Sequence, residues 1–554
     1  MHMRNLSLLC ILLCVHWALG RRNRHGIKYY INPCYGDPQW RDLRAVKKRT
    51  PLVCKNKCTG DQWREDEQTE CGMSLNILKE NENKVIENLK KRGMDKNIDN
   101  VKILKDLIEE KNKLEVLRNN LRNMRKVLSD RVRNLMFAEN ATDESATQGR
   151  MSDETPLYID RSKVETEGHN PLEDTPFEEY NVERVKEQIN QINEQININE
   201  TKITHLRYKI EDHFSRLPNL LLNKVPEGKK NNKNKIIKMY KRKNIQTDKD
   251  NTSIEPHEEI LKRFDRNQHI FANITNKIGF GYNILVNNIA KLERALINFM
   301  INTHVNKFHY TYVKTPVIVA RSALTNTGQL PKFENDLFKI NDNYKILNEE
   351  AFLIPTSEVS LLNLFRNAHL NFENLPIRLV SHSSCFRIEK NFTYGKTSKG
   401  LLREHIFEKV ELVNITDRRS SHVFYKDLIK HSEYILKKLK IPYRVVLLNS
   451  FETPFSASIC YDLEAWLPSQ QRFIEVSSCS NCLDFQARKL NLKYKKKDSN
   501  FFCHTINGSG LAVGRVLAII LEQYQIGGNS PNEKKELIIP KPLRKFMNAS
   551  IISL

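Results

Sequence analysis

The sequence predicts an α+β protein in which two long helices precede a domain of mixed strands and helices. Leu recurs every seventh residue over 107–135, and Val and Ile recur in the same way over 182–210, which is typical of paired helices. Residues 384–411 hold two extended runs on either side of a basic, Gly-containing loop, as a β-hairpin does. Residues 507–515 form a Gly-rich turn that opens an apolar helix.

The composition indicates a large protein of about three or four domains with a polyanionic partner. The chain has 554 residues and a formal net charge of +23, which favours binding to nucleic acid. Part of this charge is compositional, since Lys and Asn are abundant throughout the chain, apparent linkers included. The 11 cysteines lack the short, even spacing of a disulfide framework.

The N-terminal region has the features of targeting segments, and we exclude it from the predicted fold. Residues 1–20 contain an apolar run that ends in small residues, which predicts a secretory signal peptide too short for a membrane span. Residues 21–71 begin with a basic, acid-poor stretch and form a transit-like leader. An ordinary secreted protein and an uncleaved anchor are the alternatives.

Residues 72–220 are predicted to form a helical arm. A short helix over 72–96 stops at a glycine, and the two heptad series follow, with Leu117 and Met124 at alternate seam positions of the first. The stretch between the series, 138–180, is acidic and contains prolines, so it cannot continue either helix. An antiparallel coiled-coil hairpin with a disordered tip is the simplest arrangement. A coiled coil that dimerises the chain is the alternative.

A linker and a second domain follow the arm. Residues 221–254 contain a Lys- and Asn-rich run, which predicts a mobile basic linker. The second domain covers 255–554. Within it, 285–301 has apolar residues at helical spacing, and a short strand ending in proline follows at 311–316.

The predicted hairpin would bring two arginines and an aromatic ring to one face. Arg387 and Glu389 alternate with Ile388 and so share one strand face, and the returning strand would place Arg403 and Phe407 beside them. Two guanidinium groups and a ring on one sheet surface suit a phosphate clamp with a base-stacking platform. A solvated, salt-bridged hairpin is the alternative for this pattern.

The hairpin and the Gly-rich turn together resemble motifs 2 and 3 of class II aminoacyl-tRNA synthetases. Further strings narrow the resemblance to the seryl-tRNA synthetases and occur in that family's order over roughly residues 72–548. These strings are Thr327–Phe333, Pro355–Glu358, Tyr461–Trp466 and Glu475–Arg488. The helix and strand at 285–316 look like motif 1. The resemblance implies a mainly antiparallel sheet flanked by helices, with a dimer interface built on motif 1.

The resemblance implies ATP-dependent activation of serine, in which the serine carboxylate attacks the α-phosphate and pyrophosphate leaves. The family motifs make Arg387, Arg515 and Glu475 catalytic. Arg387 suits the α-phosphate and the substrate carboxylate, and Arg515 suits the outer phosphates. The ATP-binding residues that the resemblance implies are Arg387, Ile388, Glu389, Arg403, Phe407, Glu475, Val476, Ser477, Ser478 and Arg515.

The resemblance also implies how ATP and its metal are held. Phe407 would stack on adenine, Glu389 would accept from the adenine amino group, and Arg403 would bind another phosphate oxygen. Glu475 and Ser478 would bind Mg²⁺, which prefers few protein oxygens together with phosphates and water.

A serine pocket is implied by the same motifs. Its expected members are Thr356, Ser357, Glu358, Arg387, Glu411 and Ser509. A carboxylate would bind the substrate ammonium, and a second polar group would accept from its hydroxyl. A buried acceptor left unpaired penalises alanine, while a tight wall excludes the methyl group of threonine.

The expected partners are L-serine, tRNA(Ser) and a second copy of the chain in a homodimer, without stable membrane association. The coiled coil would hold the variable arm of the tRNA, and the acceptor end would reach the catalytic site. A catalytically silent paralogue that binds tRNA or protein through its coiled coil is the rival hypothesis. The retained arginines and pocket carboxylates argue against it.

The chain departs from the family wording in the hairpin. The loop 390–399 differs from the usual string, and Ile406 stands where Gln is usual. Both changes affect the segment expected to touch ATP or the tRNA acceptor end. Cys479 and Cys482 have CxxC spacing, but a second pair with zinc-ligand spacing is missing from the sequence, so buried thiols are favoured over a zinc site.

With this resemblance, the leader indicates an organelle. A signal peptide followed by a basic stretch resembles the bipartite leader that routes proteins through the secretory pathway into a secondary plastid. The mitochondrion is the alternative, although its presequences are amphipathic from the start and lack a leading apolar core.

Overall fold

A computed structural model of the protein describes residues 72–145, 182–229, 234–241, 254–263, 279, 281–389, 400–527 and 535–554. The predicted signal peptide and leader, most of the predicted tip and the loop 390–399 lie outside the described residues. Within these ranges, every helix is too short or too polar to cross a membrane.

The N-terminal segment forms two short helices instead of the single helix expected over 72–96. α1 is Leu75–Glu80 and α2 is Glu82–Lys91. Asn81 separates them because its backbone is not helical and its side chain caps α2 by accepting from a backbone N–H in the first turn. Gly93 has a φ of 64° and ends the segment, as the sequence predicts.

Two long antiparallel helices form the arm. α3 is Ile98–Ser145 and α4 is Val182–Ser215, which corresponds to about 70 and 50 Å at 1.5 Å per residue. Their direction follows from contacts in which higher numbers on α3 meet lower numbers on α4. These contacts are Asn100–His213 at 2.8 Å, Glu115–Arg207 at 2.9 Å and Arg122–Glu200 at 2.5 Å.

The heptad pattern matches the burial of both helices in part, since Val182, Ile189 and Ile192 of α4 are only partly buried. The buried apolar stripe of α4 consists of Val185, Ile196, Ile203, Leu206 and Ile210. On α3, Leu121 is buried, whereas Leu117 and Met124 are 47% and 48% exposed and do not lie in the seam as expected. A single partner helix covers one stripe of α3, so the second stripe faces solvent. α3 also continues past the expected start of the tip, because 138–145 contain neither Pro nor Gly.

The second domain contains strands and helices in mixed order. Its strands are β1 Lys235–Tyr240, β2 Thr311–Tyr312, β3 Ile318–Ala320, β4 Lys345–Ile346, β5 Glu349–Leu353, β6 His369–Asn371, β7 Ile377–Phe386, β8 Ile406–Thr416, β9 Tyr443–Leu447, β10 Ile459–Leu467, β11 Arg472–Asn481, β12 Lys493–Lys496, β13 Ser499–Phe502, β14 His504–Ala512, β15 Gln525–Ile526, β16 Glu536–Ile538 and β17 Ile551–Ser553. Its helices are α5 His257–Arg263, α6 Asn287–Phe308, α7 Arg321–Thr327, α8 Ser357–Asn363, α9 Ser421–Lys438, α10 Phe485–Leu490, α11 Val513–Gln523 and α12 Arg544–Met547.

An eight-stranded sheet organises this domain. Its strand order is β1-β9-β10-β11-β14-β8-β7-β2, and each pairing is antiparallel except that of β2 with β7. Three small sheets, β13-β12-β6, β15-β16-β17 and β3-β5-β4, surround it. The predicted α+β class, with long N-terminal helices and a mainly antiparallel sheet, is confirmed.

The segment expected to be a basic linker, 221–254, contains strand β1. This strand pairs antiparallel with β9. Its Ile, Met and Tyr residues supply a β-propensity that the neighbouring lysines conceal in the composition. The Tyr240 ring stacks on Tyr443 with 5.3 Å between centroids, so this part of the segment belongs to the second domain.

The core of the second domain lies between the large sheet and helices α6, α9 and α11. Residues 516–521 of α11 are all fully buried, which explains why this helix is apolar all round. α6 corresponds to the helix predicted at 285–301 and extends beyond it. β2 is shorter than the strand predicted at 311–316, because it pairs with β7 for only two residues at the sheet edge.

A second core joins the base of the arm to the second domain. Phe455 and Phe485 of the second domain pack in one cluster with Leu89 of α2, Leu104 of α3 and Leu217, which follows α4. The N-terminal helices are therefore seated on the second domain by apolar packing.

Candidate active site

A cavity of about 230 Å³ opens between the β7–β8 hairpin, β11, β14 and the start of α11. Most of the residues predicted for the site line this cavity. They are Thr356, Glu358, Arg387, Glu389, Arg403, Phe407, Glu411, Glu475, Val476, Ser478, Ser509 and Arg515. Residues from five separate sequence strings thus meet in one place.

In the hairpin, the side chain of Arg387 contacts Phe407 and that of Glu389 contacts Arg403. The guanidinium carbon of Arg387 lies 5.5 Å from the centre of the Phe407 ring. Arg403 Nε donates to Glu389 Oε2 at 2.7 Å. In the described part of the chain, the Arg387 side chain has no hydrogen bond or ion pair, so its charge is available to an anionic ligand.

Strand register explains how these groups come together. Cys385 of β7 lies opposite Phe407 of β8, and the Arg387 backbone N–H donates to the carbonyl of His405 at 3.0 Å. Arg387 therefore continues the ladder just after β7 ends. The sequence predicted this neighbourhood correctly because side chains alternate along paired strands.

Arg515 occupies the first turn of α11 and faces the same cavity. Its Nη1 donates to the carbonyl of Glu475 at 2.8 Å, and its Nε donates to the carbonyl of Leu402 at 3.2 Å. These bonds fix the guanidinium between β11 and the end of the hairpin loop. A Cβ on Gly514 would lie 2.9 Å from Glu404 Oε2 and 3.3 Å from the carbonyl of Leu401, so a larger residue here would require the Glu404 side chain to move.

A β-bulge in β11 turns Glu475 and Ser478 into the cavity together. In a regular strand, residues three apart point to opposite faces. Here Leu463 of β10 lies opposite Ser477, and the next residue, Glu464, lies opposite Glu475, which leaves Val476 as the extra residue. The sequence named this pair but could not show the bulge that brings it to one side.

The buried carboxyl group of Asp462 lies next to Glu475 and Ser478. Burial, and then the charge of Glu475, raises the pKa of Asp462 well above its usual range. The Glu475 side chain itself is 48% exposed. A half-exposed carboxylate and a hydroxyl on one rim fit a hard cation that keeps several waters.

The opposite end of the cavity is a polar pocket around Glu358. Glu358 Oε1 accepts from Gln486 Nε2 at 2.7 Å and also from the Asn507 side chain. Burial, and then the charge of Glu411, raises the pKa of Glu358 to about 7. Thr356 caps α8, its hydroxyl accepting from the Glu358 backbone N–H at 3.3 Å.

Lys409 connects two of the predicted pocket residues, and the sequence analysis missed it. Its Nζ lies 2.9 Å from Glu411 Oε2 and donates to Thr356 Oγ1 at 2.8 Å. Ser509 Oγ donates to the same Glu411 oxygen at 3.4 Å. Lys409 lies two residues from both Phe407 and Glu411 along β8 and so shares their face, and this two-residue period was a signal that pointed to it.

Three predicted residues lie outside the lining of this cavity. Ser357 is fully buried, and its hydroxyl has no hydrogen-bond partner among the described residues. Ser477 Oγ donates to the carbonyl of Ser509 at 2.6 Å and so supports the strand pairing from behind. Ile388 lines a neighbouring groove, where its backbone N–H donates to the carbonyl of Asp336 at 2.9 Å.

The fold and the cavity agree with a family model. Residues 338–524 match the model described as the tRNA synthetase class II core domain (G, H, P, S and T). The second domain is therefore that of a class II aminoacyl-tRNA synthetase.

Similar proteins narrow the class. The chain is 59% identical over 521 residues to the serine–tRNA ligase, cytoplasmic, of Plasmodium falciparum, which covers 87% of this chain and 84% of that relative. It is 41% identical over 380 residues to the serine–tRNA ligase of Ehrlichia ruminantium, which covers 66% of this chain and 85% of that relative. The chain belongs to the serine–tRNA ligase family.

Solved structures are similar over most of their length. The seryl-tRNA synthetase of Pyrococcus horikoshii complexed with ATP has a TM-score of 0.68 and 25% identity, covering 87% of this chain and 99% of that one. The cytoplasmic serine–tRNA ligase of Naegleria fowleri in complex with AMP has a TM-score of 0.67 and 22% identity, covering 88% and 100%. The second likeness supports the fold alone.

Proposed function

We infer that the protein is an ATP-dependent ligase that joins L-serine to tRNA(Ser) through a seryl-adenylate. The observation that carries this function is the meeting, in one cavity, of a carboxylate-rich pocket and an arginine whose side chain has no ion pair among the described residues. Arg387 supplies a positive charge for phosphate and carboxylate, and Glu358 and Glu411 supply negative charge for an ammonium group. The substrates carry the complementary charges: an amino acid has an ammonium group and a carboxylate, and a nucleoside triphosphate has phosphates.

The chemistry requires alignment more than it requires proton transfer. The serine carboxylate is already a nucleophile, so no general base is needed for its attack on the α-phosphate. Arg387 binds both reacting groups and holds them in line, and Arg515 binds the outer phosphates as pyrophosphate leaves. Phe407, held beside Arg387, offers its ring to adenine.

The pocket chemistry accounts for serine as the substrate. A carboxylate pairs with the ammonium group, while Glu411 and Ser509 lie within hydrogen-bonding reach of each other and of a small hydroxyl. Alanine would leave a buried acceptor unpaired, which a polar site penalises strongly. Threonine would add a methyl group to an enclosed pocket.

Glu475 and Ser478 would hold a magnesium ion on the phosphate side of the cavity. Bound there, the ion would neutralise charge on the phosphates. The bulge at Val476 supports this proposal because it turns both oxygens to one side. The hydrogen bond from Arg515 to the carbonyl of Glu475 holds the bulge at a fixed distance from the arginine of the phosphate clamp.

The helix pair α3–α4 is proposed to be a coiled coil that binds the variable arm of tRNA(Ser). Its length of about 50 Å over α4 suits a long RNA arm, and its solvent-facing side is rich in Lys and Arg. A homodimer is proposed through α6 and β2, which carry the motif 1 resemblance. Within the ranges that the structure describes, the helix pair, α6 and β2 contribute no residue to the lining of the cavity.

The leader is proposed to direct the protein to a secondary plastid, with the mitochondrion as the alternative. The apolar run within 1–20 and the basic stretch after it support this proposal. The Plasmodium falciparum relative is named as a cytoplasmic enzyme, so a localisation experiment on this chain's own leader decides the matter.

ATP–pyrophosphate exchange with each of the twenty amino acids tests the function directly. We expect exchange with serine alone, and charging of tRNA(Ser) when the tRNA is added. Exchange with another amino acid would reassign the substrate. A folded protein without exchange would support a silent paralogue that binds tRNA through the arm.

A further inference from the structure

Arg92 lies in the N-terminal segment, yet its side chain reaches into the second domain. It is the C-cap residue of α2 and is only 5% exposed. Its Nη1 donates to the carbonyls of Thr453 at 3.0 Å and Pro454 at 3.2 Å, and its Nη2 donates to the carbonyl of Ala457 at 2.7 Å. Three backbone carbonyls of one short segment thus converge on a single guanidinium.

This arrangement is unusual because no carboxylate accompanies the charge. In the described ranges, the hydrogen bonds of the Arg92 side chain all go to carbonyl oxygens. Burial lowers the pKa of Arg92 to about 9, which reflects how costly an unpaired charge is there. A neutral residue could fill the space more cheaply, so the three directed bonds are the feature that requires arginine.

The segment that Arg92 holds, 453–458, forms one wall of the cavity, and we call it the cavity wall. Pro454 and Ser456 line the cavity. The Asn219 side chain donates to the carbonyls of both Ser456 and Cys482, and Asn507, which donates to Glu358, lies 4.0 Å from the Cys482 sulfur. The cavity wall therefore adjoins the Glu358 end of the cavity, where the serine pocket is proposed.

Asn219, just beyond α4, holds the cavity wall from a second direction. Its Nδ2 lies 2.9 Å from the carbonyl of Ser456, 2.9 Å from Ser458 Oγ and 2.8 Å from the carbonyl of Cys482. Its Oδ1 accepts from the Met73 backbone N–H at 2.9 Å. Both ends of the arm therefore attach to the same wall through buried polar bonds.

We propose that Arg92 is a positioning residue for serine recognition, which fixes the cavity wall so that the pocket accepts serine and excludes threonine. The proposal rests on the proposed function of the cavity. Without the guanidinium, the carbonyls of Thr453 and Ala457 lose their Arg92 donor, and that of Pro454 keeps only the Ala457 backbone N–H at 3.1 Å. The wall then relaxes outward. A displacement of a fraction of an ångström suffices to weaken a tightly packed pocket. The phosphate side, built on Arg387 and Arg515, has no contact with Arg92 in the described structure.

The test compares full-length Arg92→Gln with Arg216→Gln, a matched control. Arg216 is an exposed arginine at the end of α4 that pairs with Asp212. In ATP–pyrophosphate exchange, we expect Arg92→Gln to raise the KM for serine roughly tenfold and to leave the KM for ATP within about twofold. The preference in kcat/KM for serine over threonine should fall by a similar factor. Arg216→Gln should match the parent in every parameter.

A purely structural Arg92 would behave differently. Loss of active protein alone would lower the rate at unchanged KM values and unchanged preference for serine, and that result would overturn the proposal. Equal rises in both KM values would overturn it too. If the parent itself shows no exchange with serine, the proposed function fails instead, so the two failures are distinguishable.

Arg92→Lys provides a second variant if Arg92→Gln does not fold. It keeps the charge but replaces the rigid fork with one ammonium, which cannot serve three carbonyls with the same geometry. We expect a rise of about threefold in the KM for serine, again without a matching change for ATP. A KM for serine equal to the parent's in this folded variant would contradict the proposal.

Discussion

The Arg387 guanidinium lies against the Phe407 ring, with 5.5 Å between the guanidinium carbon and the ring centre. The two residues come from opposite strands of one hairpin, so the strand pairing sets their distance. The pair offers a charge for phosphate and a flat surface for a base within the reach of one nucleotide. Arg515 faces them across the cavity from the first turn of α11.

Replacing either clamp arginine should strongly reduce serine-dependent exchange. We expect Arg387→Ala and Arg515→Ala each to lower kcat/KM on the order of 10²–10³-fold, because each guanidinium meets phosphate charge that no neighbour replaces. Exchange assays with circular dichroism as a check of folding measure this. Arg472→Ala, an exposed arginine at the start of β11, serves as the control. Near-normal exchange by either clamp variant would remove the assigned clamp.

Serine binding should weaken at low pH. The pKa of Glu358 is raised to about 7 by burial, so the protonated, neutral form gains population as pH falls through 7. A neutral carboxyl no longer attracts the substrate ammonium, and the KM for serine should rise about tenfold per pH unit below 7. Steady-state kinetics from pH 8 to 6 measure the effect.

Two variants separate Glu358 from the other titrating group in the cavity. Glu404 also has a pKa raised to about 7 by burial, but it lies beside Arg515 and away from the serine pocket. Glu358→Gln should have a high KM for serine that no longer changes with pH, whereas Glu404→Gln should keep the dependence. A pH-dependent KM for serine in Glu358→Gln would show that another group titrates.

Removing the charge of Lys409 should destabilise the pocket. Lys409→Met leaves Glu411 buried without its cation, which costs about 3–5 kcal/mol when a buried pair loses one partner. Denaturant unfolding measures the loss. The double variant with Glu411→Gln should recover most of it, because no unpaired charge is left. If the double variant is as unstable as Lys409→Met alone, the ion pair is not the source of the effect.

Deleting the arm should separate serine activation from tRNA charging. A chain in which Leu107–Ile210 is replaced by a short splice keeps Arg92 and Asn219, and hence both attachments of the cavity wall. We expect exchange with serine close to the parental rate and a loss of charging, because the proposed tRNA contacts lie in the deleted part. Charging at the parental efficiency would make the helix pair an assembly device.

The leader should act in two steps. Residues 1–60 fused to a fluorescent protein should enter the secretory pathway and reach a plastid, whereas 21–60 alone should not, because it lacks the apolar run that starts entry. Fluorescence microscopy with organelle markers reads the outcome. Secretion into the medium, arrival in mitochondria or retention in the cytoplasm would each overturn the plastid proposal without touching the enzymatic one.

The periodicity of residue types along the sequence predicted those parts of the site that lie within a single hairpin or a single turn. The two-residue period of a strand placed Arg387, Glu389, Arg403 and Phe407 in one neighbourhood, and the seven-residue period indicated the helix pair. These features depend on neighbours close in sequence, and their side-chain directions follow from secondary structure alone.

Features that depend on residues far apart in the chain could not be predicted from the sequence. The bulge at Val476 is visible only in the register of β11 against β10. Arg92 meets carbonyls more than 350 positions away, and backbone acceptors leave no mark on residue types. The strand β1 was concealed because its lysines matched the composition of a linker, while its partner β9 lies about 200 residues further on.

The position of β1 at one end of the large sheet has a consequence for association between molecules. An outermost strand presents unpaired backbone groups that can template the addition of a strand from another chain. β1 covers β9 and places the exposed Lys235 at the new boundary, whereas Lys238 is paired with the buried Glu433 at 2.7 Å. Lysines on an outermost strand oppose such addition, because joining two copies would bring like charges together. A lysine-bearing strand outside the lining of the cavity can thus keep a long antiparallel sheet from polymerising.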